Sequence, residues 1–474
     1  MVKKQTKIVA TISDLRCDVD FLKSLYDAGV NVFRINTAHQ TPDITKKVVD
    51  NIRAVSSKVG ILVDTKGPEI RTRLVKEEGI VLNEGSEICV MYGDEGAKSD
   101  SEILYVSHSN FVNEINLEEN KTILVDDGDL ELEIIKKDGD KLICKVLNSS
   151  ELKQKKSVNV PGGKFTLPSL TDKDRSYVRF CAENEIDFIA HSFVRGKKDL
   201  DEIQSILDEY KSNVKIISKV ENREGVDNIN EIIQNCYGVM VARGDLAIEI
   251  PAEEVPIVQK KIIRACLENA KISITATQML QSMIKNPRPT RAEVSDIATA
   301  IFDGSDAIML SGETAFGDFP LESVKVMTKV AKKVESSKKF FRRNKFLRWN
   351  NSVHKYLAKT IIESTAELPI KAIFAVTRSG STPRLLSSFR PKTPIYAETF
   401  SDRVTRELAL VYGVYPSTID KVKSSDELVS KASKDILSRT DVNDDDLVAL
   451  IGATPGSRKG ADFIEIKTVK EFLE

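Results

Sequence analysis

VKIISKVENREGVDNINEIIQNCYGVMVARGD, residues 214–245, carries the repeating unit from which the fold can be read. It opens and closes on short β-branched runs, VKIISKV and GVMVA, and the polar stretch between them has helical periodicity. Near-continuous apolar runs of this length suit strands covered on both faces, as in a parallel sheet. Each run also ends in residues able to do chemistry: Lys219 and Glu221 after the first, Arg243 and Asp245 after the second.

Working outward, the same unit recurs. KIVATIS (7–13), VNVFRIN (30–36), GILVDTKG (60–67), DFIAHSFV (187–194), SITATQM (273–279) and DAIMLSGET (306–314) complete a set of eight strand-like runs. Eight strands alternating with helices predict an α/β fold built on a (β/α)8 TIM barrel, with its active site at the C-terminal strand ends. One interval breaks the rhythm. Between residues 67 and 166 the pattern is strand–turn–strand with no clear helix, and DDGD and KDGDK are hairpin signals. A β-barrel lid domain inserted after strand three is expected there. A Lys-rich helical stretch (321–346) then leads into a third region, where IKAIFAVT, PIYAETF, GVYPST, DLVALIG and DFIEIKTV alternate with helical segments as a C-terminal α/β domain. The expected division is a discontinuous catalytic barrel at 1–66 and 166–340, a lid at 67–165 and a C-terminal effector-binding domain at 345–474.

Composition narrows the function. The chain has 474 residues, 41% hydrophobic and 30% charged, as in globular multidomain proteins. A formal net charge of -1 gives no global pull toward nucleic acid or an anionic membrane, so anionic substrates need a local cationic cluster. Six scattered cysteines without a CxxC pair read as reduced thiols, not a disulfide frame or zinc site. The N-terminus shows no signal peptide, and no apolar run reaches the roughly 18 residues that cross a bilayer. The expectation is a cytoplasmic protein.

Residues with chemical capability gather at the expected strand ends: Arg34 and Asn36, then Asp64, Thr65 and Lys66, Lys219 and Glu221, Arg243 and Asp245, Thr277, and Ser311 with Glu313. Merely solvated charges would be spread along the strands. Lys219 and Glu221 are two apart and share a strand face. Glu221 with Asp245 can grip one Mg²⁺ or Mn²⁺ while leaving positions for substrate. Lys219 beside that ion gives a second positive charge for a phosphoryl group in transfer. A buried structural Lys–Glu pair is the alternative reading of SKVEN, and Asp245 after GVMVARG weighs against it. Arg34 and Arg71 offer fork-shaped donors to phosphate oxygens. There is no GxxxxGK[ST], no strand-borne GxGxxG, no HRD or DFG, and no HExxH among the four histidines. His108 and His354 read as structural or surface residues.

These residues lie in longer strings, VFRINTAH, DTKGPEIR, SKVENREG, VARGDLAIE, TATQMLQSM and NPRPTRAEVSDIATAIFDGSDAIMLSGETAFG, which resemble the pyruvate kinase family in order and spacing. The resemblance implies transfer of the phosphoryl group of phosphoenolpyruvate to ADP, the last step of glycolysis, by a cytoplasmic homotetramer. It implies that Arg34 contacts the substrate phosphate, that Lys219 stabilises the transition state, and that Glu221 and Asp245 hold the divalent ion. Gly244, Asp245 and Thr277 would line the pyruvate site, with Thr277 or Ser311 relaying a proton to the enolate. Asn36, His39, Arg71 and Lys156 would place the nucleotide. K⁺ would be held around Asn36, Asp64 and Thr65, where Ala38 replaces the family's usual serine, while Glu69 is typical of K⁺-dependent members. VTRSGSTPRLLSSFRP (376–391) resembles the effector loop. There Thr377, Ser379, Ser381 and Thr382 would take a phosphorylated activator, with a helix starting just after Pro383. TPGSRKG (454–460) resembles a second effector loop. A metal-dependent lyase or aldolase would need neither a lid nor Arg71 and Lys156, and an inactive relative would have lost Lys219, Glu221, Asp245 or Thr277.

Overall fold

The computed structural model describes the chain apart from residues 1–2, 338–351, 421–430, 432–433, 435–436, 439–441, 454–459 and 474. Eight parallel strands form the expected closed barrel: β1 (Lys7–Ile12), β2 (Val32–Asn36), β3 (Gly60–Asp64), β4 (Phe188–His191), β5 (Lys215–Val220), β6 (Gly238–Ala242), β7 (Ile272–Ala276) and β8 (Ala307–Leu310). They pair in chain order, and β1 closes on β8 with Lys7 opposite Ala307.

Strand parity divides the side chains. Ile8, Phe33, Ile61, Ile189, Ile216 and Val239 face the surrounding helices, whereas Val9, Val32, Leu62, Ala190, Ile217 and Met240 fill the barrel interior. Continuing the inward parity by one or two steps reaches Thr11, Arg34, Asp64, Ser192, Lys219 and Glu221. The period of two therefore aims the polar residues of five strands at one point above a sealed apolar interior.

The insertion between β3 and β4 is a six-stranded sheet, with two smaller two-stranded sheets and its own apolar core around Val90, Leu104, Ile123, Leu132 and Leu142. Both hairpin signals are realised. Asp126, Asp127 and Gly128 all have positive φ between Thr122–Val125 and Leu130–Asp138, and Gly139 turns the latter into Lys141–Val146 at φ 59°. One short helix, Phe111–Glu114, interrupts this domain where the sequence pattern shows none. Four residues are too few to express a helical period.

The Lys-rich stretch begins as the helix Pro320–Glu335, and its expected continuation beyond residue 337 lies outside the described residues. The C-terminal domain is a five-stranded sheet, ordered β11 (Val414–Thr418), β10 (Ile395–Thr399), β9 (Ala372–Thr377), β12 (Leu447–Gly452) and β13 (Phe463–Thr468), with only β13 antiparallel. It seats against the barrel floor. Arg406 Nε donates to Asp187 Oδ1 at 2.7 Å, Arg390 pairs with Asp306 at 2.8 Å, and Lys7 Nζ donates to the Val414 carbonyl at 2.6 Å. These are buried charges, tolerated because each has a partner. No described helix is long and apolar enough to cross a membrane.

Candidate active site

Lys219 is the centre of the site. Its ammonium lies 3.2 Å from Asp64 Oδ1 and 2.9 Å from Glu221 Oε1, and donates to Ser192 Oγ at 2.7 Å. Burial lowers the pKa of this ammonium, but Asp64, Glu221 and Asp245 together outweigh burial and raise it above the ordinary range. Lys219 is therefore held charged. Burial also raises Asp64, yet Arg34 and Lys219 bring it below the ordinary carboxylate value. Arg34 Nε donates to Asp64 Oδ2 at 2.6 Å, and its Nη1 donates to Thr11 Oγ1 at 2.9 Å.

Glu221 behaves differently. It is fully buried, and burial pushes its pKa to about 8, with Lys219 opposing and Asp245 adding to the rise. Its Oε2 accepts the Phe193 N–H at 2.7 Å, but Oε1 lacks an aligned hydrogen bond even with Lys219 Nζ nearby. A sequestered carboxylate oxygen held only by the Lys219 ammonium at 2.9 Å, with the Asp245 charge close enough to raise its pKa, fits an oxygen-liganded divalent cation. The Phe193 amide that holds Oε2 sits at φ 55°, a left-handed conformation uncommon for a bulky residue.

The strand-end expectation needs one correction. β6 stops at Ala242, and Arg243–Glu249 is a helix, so Asp245 sits in a first helical turn and not on the strand. Glu221, Thr277 and Ser311 likewise follow the last strand residue by one position. The chain must leave the barrel here, and the turn brings Gly244 to Thr277. Gly244 N donates to Thr277 Oγ1 at 2.8 Å, and Thr277 itself has φ 68°.

Arg243 and Glu313, both chemically capable by type, serve as braces. Arg243 pairs with Asp296 at 2.6 Å and donates to the Thr277 carbonyl at 2.8 Å. The buried Glu313 accepts the Leu280 and Ser311 amides, joining the loops after β7 and β8.

Other expected residues fall into separate groups. Asn36 and Asp64 are register partners on β2 and β3, and Asn36 Oδ1 accepts the Ala38 N–H at 3.1 Å. Thr65 follows, its carbonyl accepting Ser192 Oγ at 2.7 Å. This is an all-oxygen donor set, as a monovalent cation requires, with Ala38 contributing no hydroxyl. His39 ends the single turn Thr37–His39. Arg71 and Lys156 meet at the base of the lid, where Thr72 N donates to the Lys156 carbonyl at 2.8 Å. They are not part of the Lys219 cluster: Arg71 forks onto Glu69 at 2.6 Å, and Lys156 pairs with Asp126 at 2.7 Å. Between lid and barrel lies a cavity of about 290 Å³ lined in part by Glu69, Asp127, Ser157, Asn159, Asp245 and Glu249. Across it Asn159 Nδ2 donates to Glu249 Oε1 at 3.1 Å.

In the C-terminal domain, Thr377 ends β9 and its Oγ1 accepts the Gly380 N–H at 2.9 Å. Ser379 donates to Ser381 at 3.2 Å, and Thr382 Oγ1 lies 3.1 Å from His354 Nε2. The helix spans Ser381–Ser388 and begins before Pro383, not after it. Proline is tolerated in a first turn because amides there have no intrahelical acceptor. Of the second loop, residues 454–459 lie outside the described residues.

Ser192, Asn159 and Glu249 are the site residues that sequence reasoning missed. Ser192 directly follows β4 in HSFV, and strand-end position was its available signal. The Asn159–Glu249 contact joins residues 90 apart and has no local signature.

A parallel barrel presenting a charged lysine, paired carboxylates and an arginine at its C-terminal rim is the arrangement of a barrel enzyme acting on an anionic substrate. Comparison with known proteins specifies which. Residues 3–324 match the family described as "Pyruvate kinase, barrel domain", and residues 355–467 match "Pyruvate kinase, alpha/beta domain". A pyruvate kinase of Borreliella burgdorferi is 46% identical, covering 100% of this chain and 99% of its own length. One of Staphylococcus epidermidis is 42% identical over 96% of this chain and 79% of its own. The crystal structure of a pyruvate kinase from Cryptosporidium parvum superposes with a TM-score of 0.92 at 35% identity, covering 98% of this chain and 96% of that one. The chain belongs to the pyruvate kinase family, and it is a phosphotransferase.

Proposed function

We propose that the chain transfers the phosphoryl group of phosphoenolpyruvate to ADP, giving pyruvate and ATP, in the cytoplasm. The observation that carries this reading is the charged Lys219 held between Asp64 and Glu221 at 3.2 and 2.9 Å, with Arg34 alongside. Glu221 and Asp245 would hold Mg²⁺ or Mn²⁺, which supplies Lewis-acid neutralisation of charge on substrate oxygens. Arg34 binds the substrate phosphate, and Lys219 faces the oxygens of the phosphoryl group in flight. Gly244 and Thr277 orient the pyruvate moiety, with Thr277 or Ser311 on the proton path to the enolate carbon. Asn36, His39, Arg71 and Lys156 position the nucleotide. For Arg71 and Lys156 that means exchanging their present carboxylate partners for phosphate oxygens.

The reading extends to a division into barrel (1–66 and 166–340), lid (67–165) and effector domain (345–474), supported by the separate β sheet inserted between β3 and β4 and the separate C-terminal sheet. Lid closure excludes water so that ADP is the acceptor. K⁺ binds around Asn36, Asp64 and Thr65, with a water standing where Ala38 offers no hydroxyl. A phosphorylated metabolite activates the enzyme through Thr377, Ser379, Ser381 and Thr382, and the working form is a homotetramer.

The test is a coupled pyruvate-formation assay with each component omitted in turn. Activity that requires phosphoenolpyruvate, ADP and a divalent ion together supports the reaction. Pyruvate release without ADP would assign hydrolysis instead. Glu221→Gln should raise the Mg²⁺ concentration giving half-maximal rate, and an unchanged value would remove Glu221 from the metal site.

A further inference from the structure

Ser192 and Phe193 directly follow β4, and between them they hold both members of the Lys219–Glu221 pair. His191 is the register partner of Ser218, so the next step along the two strands sets Ser192 beside Lys219. Ser192 Oγ accepts from the Lys219 ammonium at 2.7 Å, and the Phe193 amide donates to Glu221 Oε2 at 2.7 Å.

The three contacts of the Lys219 ammonium are not equivalent. Asp64 Oδ1 at 3.2 Å and Glu221 Oε1 at 2.9 Å attract it by charge, and Glu221 Oε1 is not aligned as a hydrogen-bond acceptor. Coulombic attraction depends on distance, so it holds the charge in place without fixing where the three N–H groups point. A hydrogen bond is directional. The Ser192 contact is the shortest of the three, and it is aligned.

Ser192 is itself fixed. It is 1% exposed, and its single proton goes to the Thr65 carbonyl at 2.7 Å, which leaves the lone pairs of Oγ for Lys219. Asp64 Oδ1, at 3.4 Å, is the weaker acceptor for that proton. The Ser192 amide donates to Thr65 Oγ1 at 3.1 Å. Gly67, at φ 74°, closes over this turn. A Cβ there would lie 2.9 Å from Ser192 Cβ and 2.7 Å from Phe193 Cδ2, so the exit of β3 clamps the exit of β4 only with glycine in place.

We propose that Ser192 is a positioning residue for phosphoryl transfer, its fixed hydroxyl orienting the Lys219 ammonium toward the phosphoryl oxygens. The inference rests on the reaction proposed above and adds a residue to it. Without the hydroxyl the ammonium settles between Asp64 and Glu221, still charged but turned away from the substrate. Substrate binding then survives while the transition state loses an aligned donor.

Steady-state pyruvate formation by the full chain tests it. Ser192→Ala should lower kcat by about tenfold or more, as for a hydrogen bond to a charged group, with KM for phosphoenolpyruvate little changed. Added to Lys219→Met, the same substitution should cost almost nothing further, because its effect passes through Lys219. Ser192→Cys keeps the shape of the side chain with a weak acceptor, and should lose kcat as alanine does even if the smaller residue impairs folding. Ser218→Ala removes a buried hydroxyl that strand parity turns toward the helices, and should leave kcat unchanged. Circular dichroism and thermal melts report the fold of each variant. Wild-type kcat in a folded Ser192 variant, a defect confined to KM, an equally large further loss on top of Lys219→Met, or an equal loss in Ser218→Ala would each overturn the proposal. A wild type that forms no pyruvate would instead remove the reaction on which the proposal stands.

Discussion

Replacing Lys219 by methionine keeps an unbranched apolar stem, one atom shorter, and removes the ammonium with its charge and its hydrogen bond to Ser192 Oγ. The ammonium lies 2.9 Å from Glu221 Oε1 and 3.2 Å from Asp64 Oδ1, so an anionic substrate oxygen can approach it about as closely. At roughly 4 Å and an effective dielectric constant of about 20, the lost attraction is about 4 kcal/mol. That corresponds to about 10³-fold in rate if the interaction is made mainly in the transition state. The barrel should still fold, because Asp64 retains Arg34 at 2.6 Å. Steady-state pyruvate formation should therefore show kcat down by about 10³, with KM for phosphoenolpyruvate within about tenfold of wild type. A kcat loss below about tenfold, or a defect confined to KM, would refute the reasoning, since it would place Lys219 in uniform substrate binding or outside the reaction.

Glu249 gives a pH-dependent prediction: burial raises its pKa to about 7 from the ordinary 4.5. Between these values the folded chain keeps a proton that the unfolded chain releases, so stability falls as pH rises through 4.5 to 7, by about 3 kcal/mol at most. Glu249→Gln should flatten that decline in thermal melts at pH 5 and 8, and parallel declines would exclude it. Arg390→Met leaves buried Asp306 with only uncharged donors, including the Ser273 and Tyr412 amides. It should cost about 3 kcal/mol, seen as a lowered urea midpoint, and a change under about 0.5 kcal/mol would show the pair to be unimportant. Replacing K⁺ by tetramethylammonium should lower the rate of pyruvate formation, and an unchanged rate would exclude a functional cation site around Asn36, Asp64 and Thr65.

The eight barrel strands and the β insertion could be read from the sequence because their signals are local. GVMVA or GILV must be apolar throughout, since both faces of a parallel strand are covered, and DDGD and KDGDK supply the positive φ that their turns require. The pairing of Lys219 with Glu221 was legible for the same reason, as period two puts them on one face.

What the sequence could not decide was which groups meet across loops. Only the closed barrel brings Asp64 to Lys219, 155 positions later, and Arg34 to Asp64 at 2.6 Å. Asp245 was assignable to the site but not to its helix, because a strand exit and a first helical turn share the same short polar string. Arg243 and Glu313 carry the residue types of catalysis, yet folding commits them to Asp296 and to two backbone amides. The strand pattern is dictated by burial along the chain, which each residue's own polarity reports. Partner choice among charged side chains depends on distances that exist only after the barrel has closed.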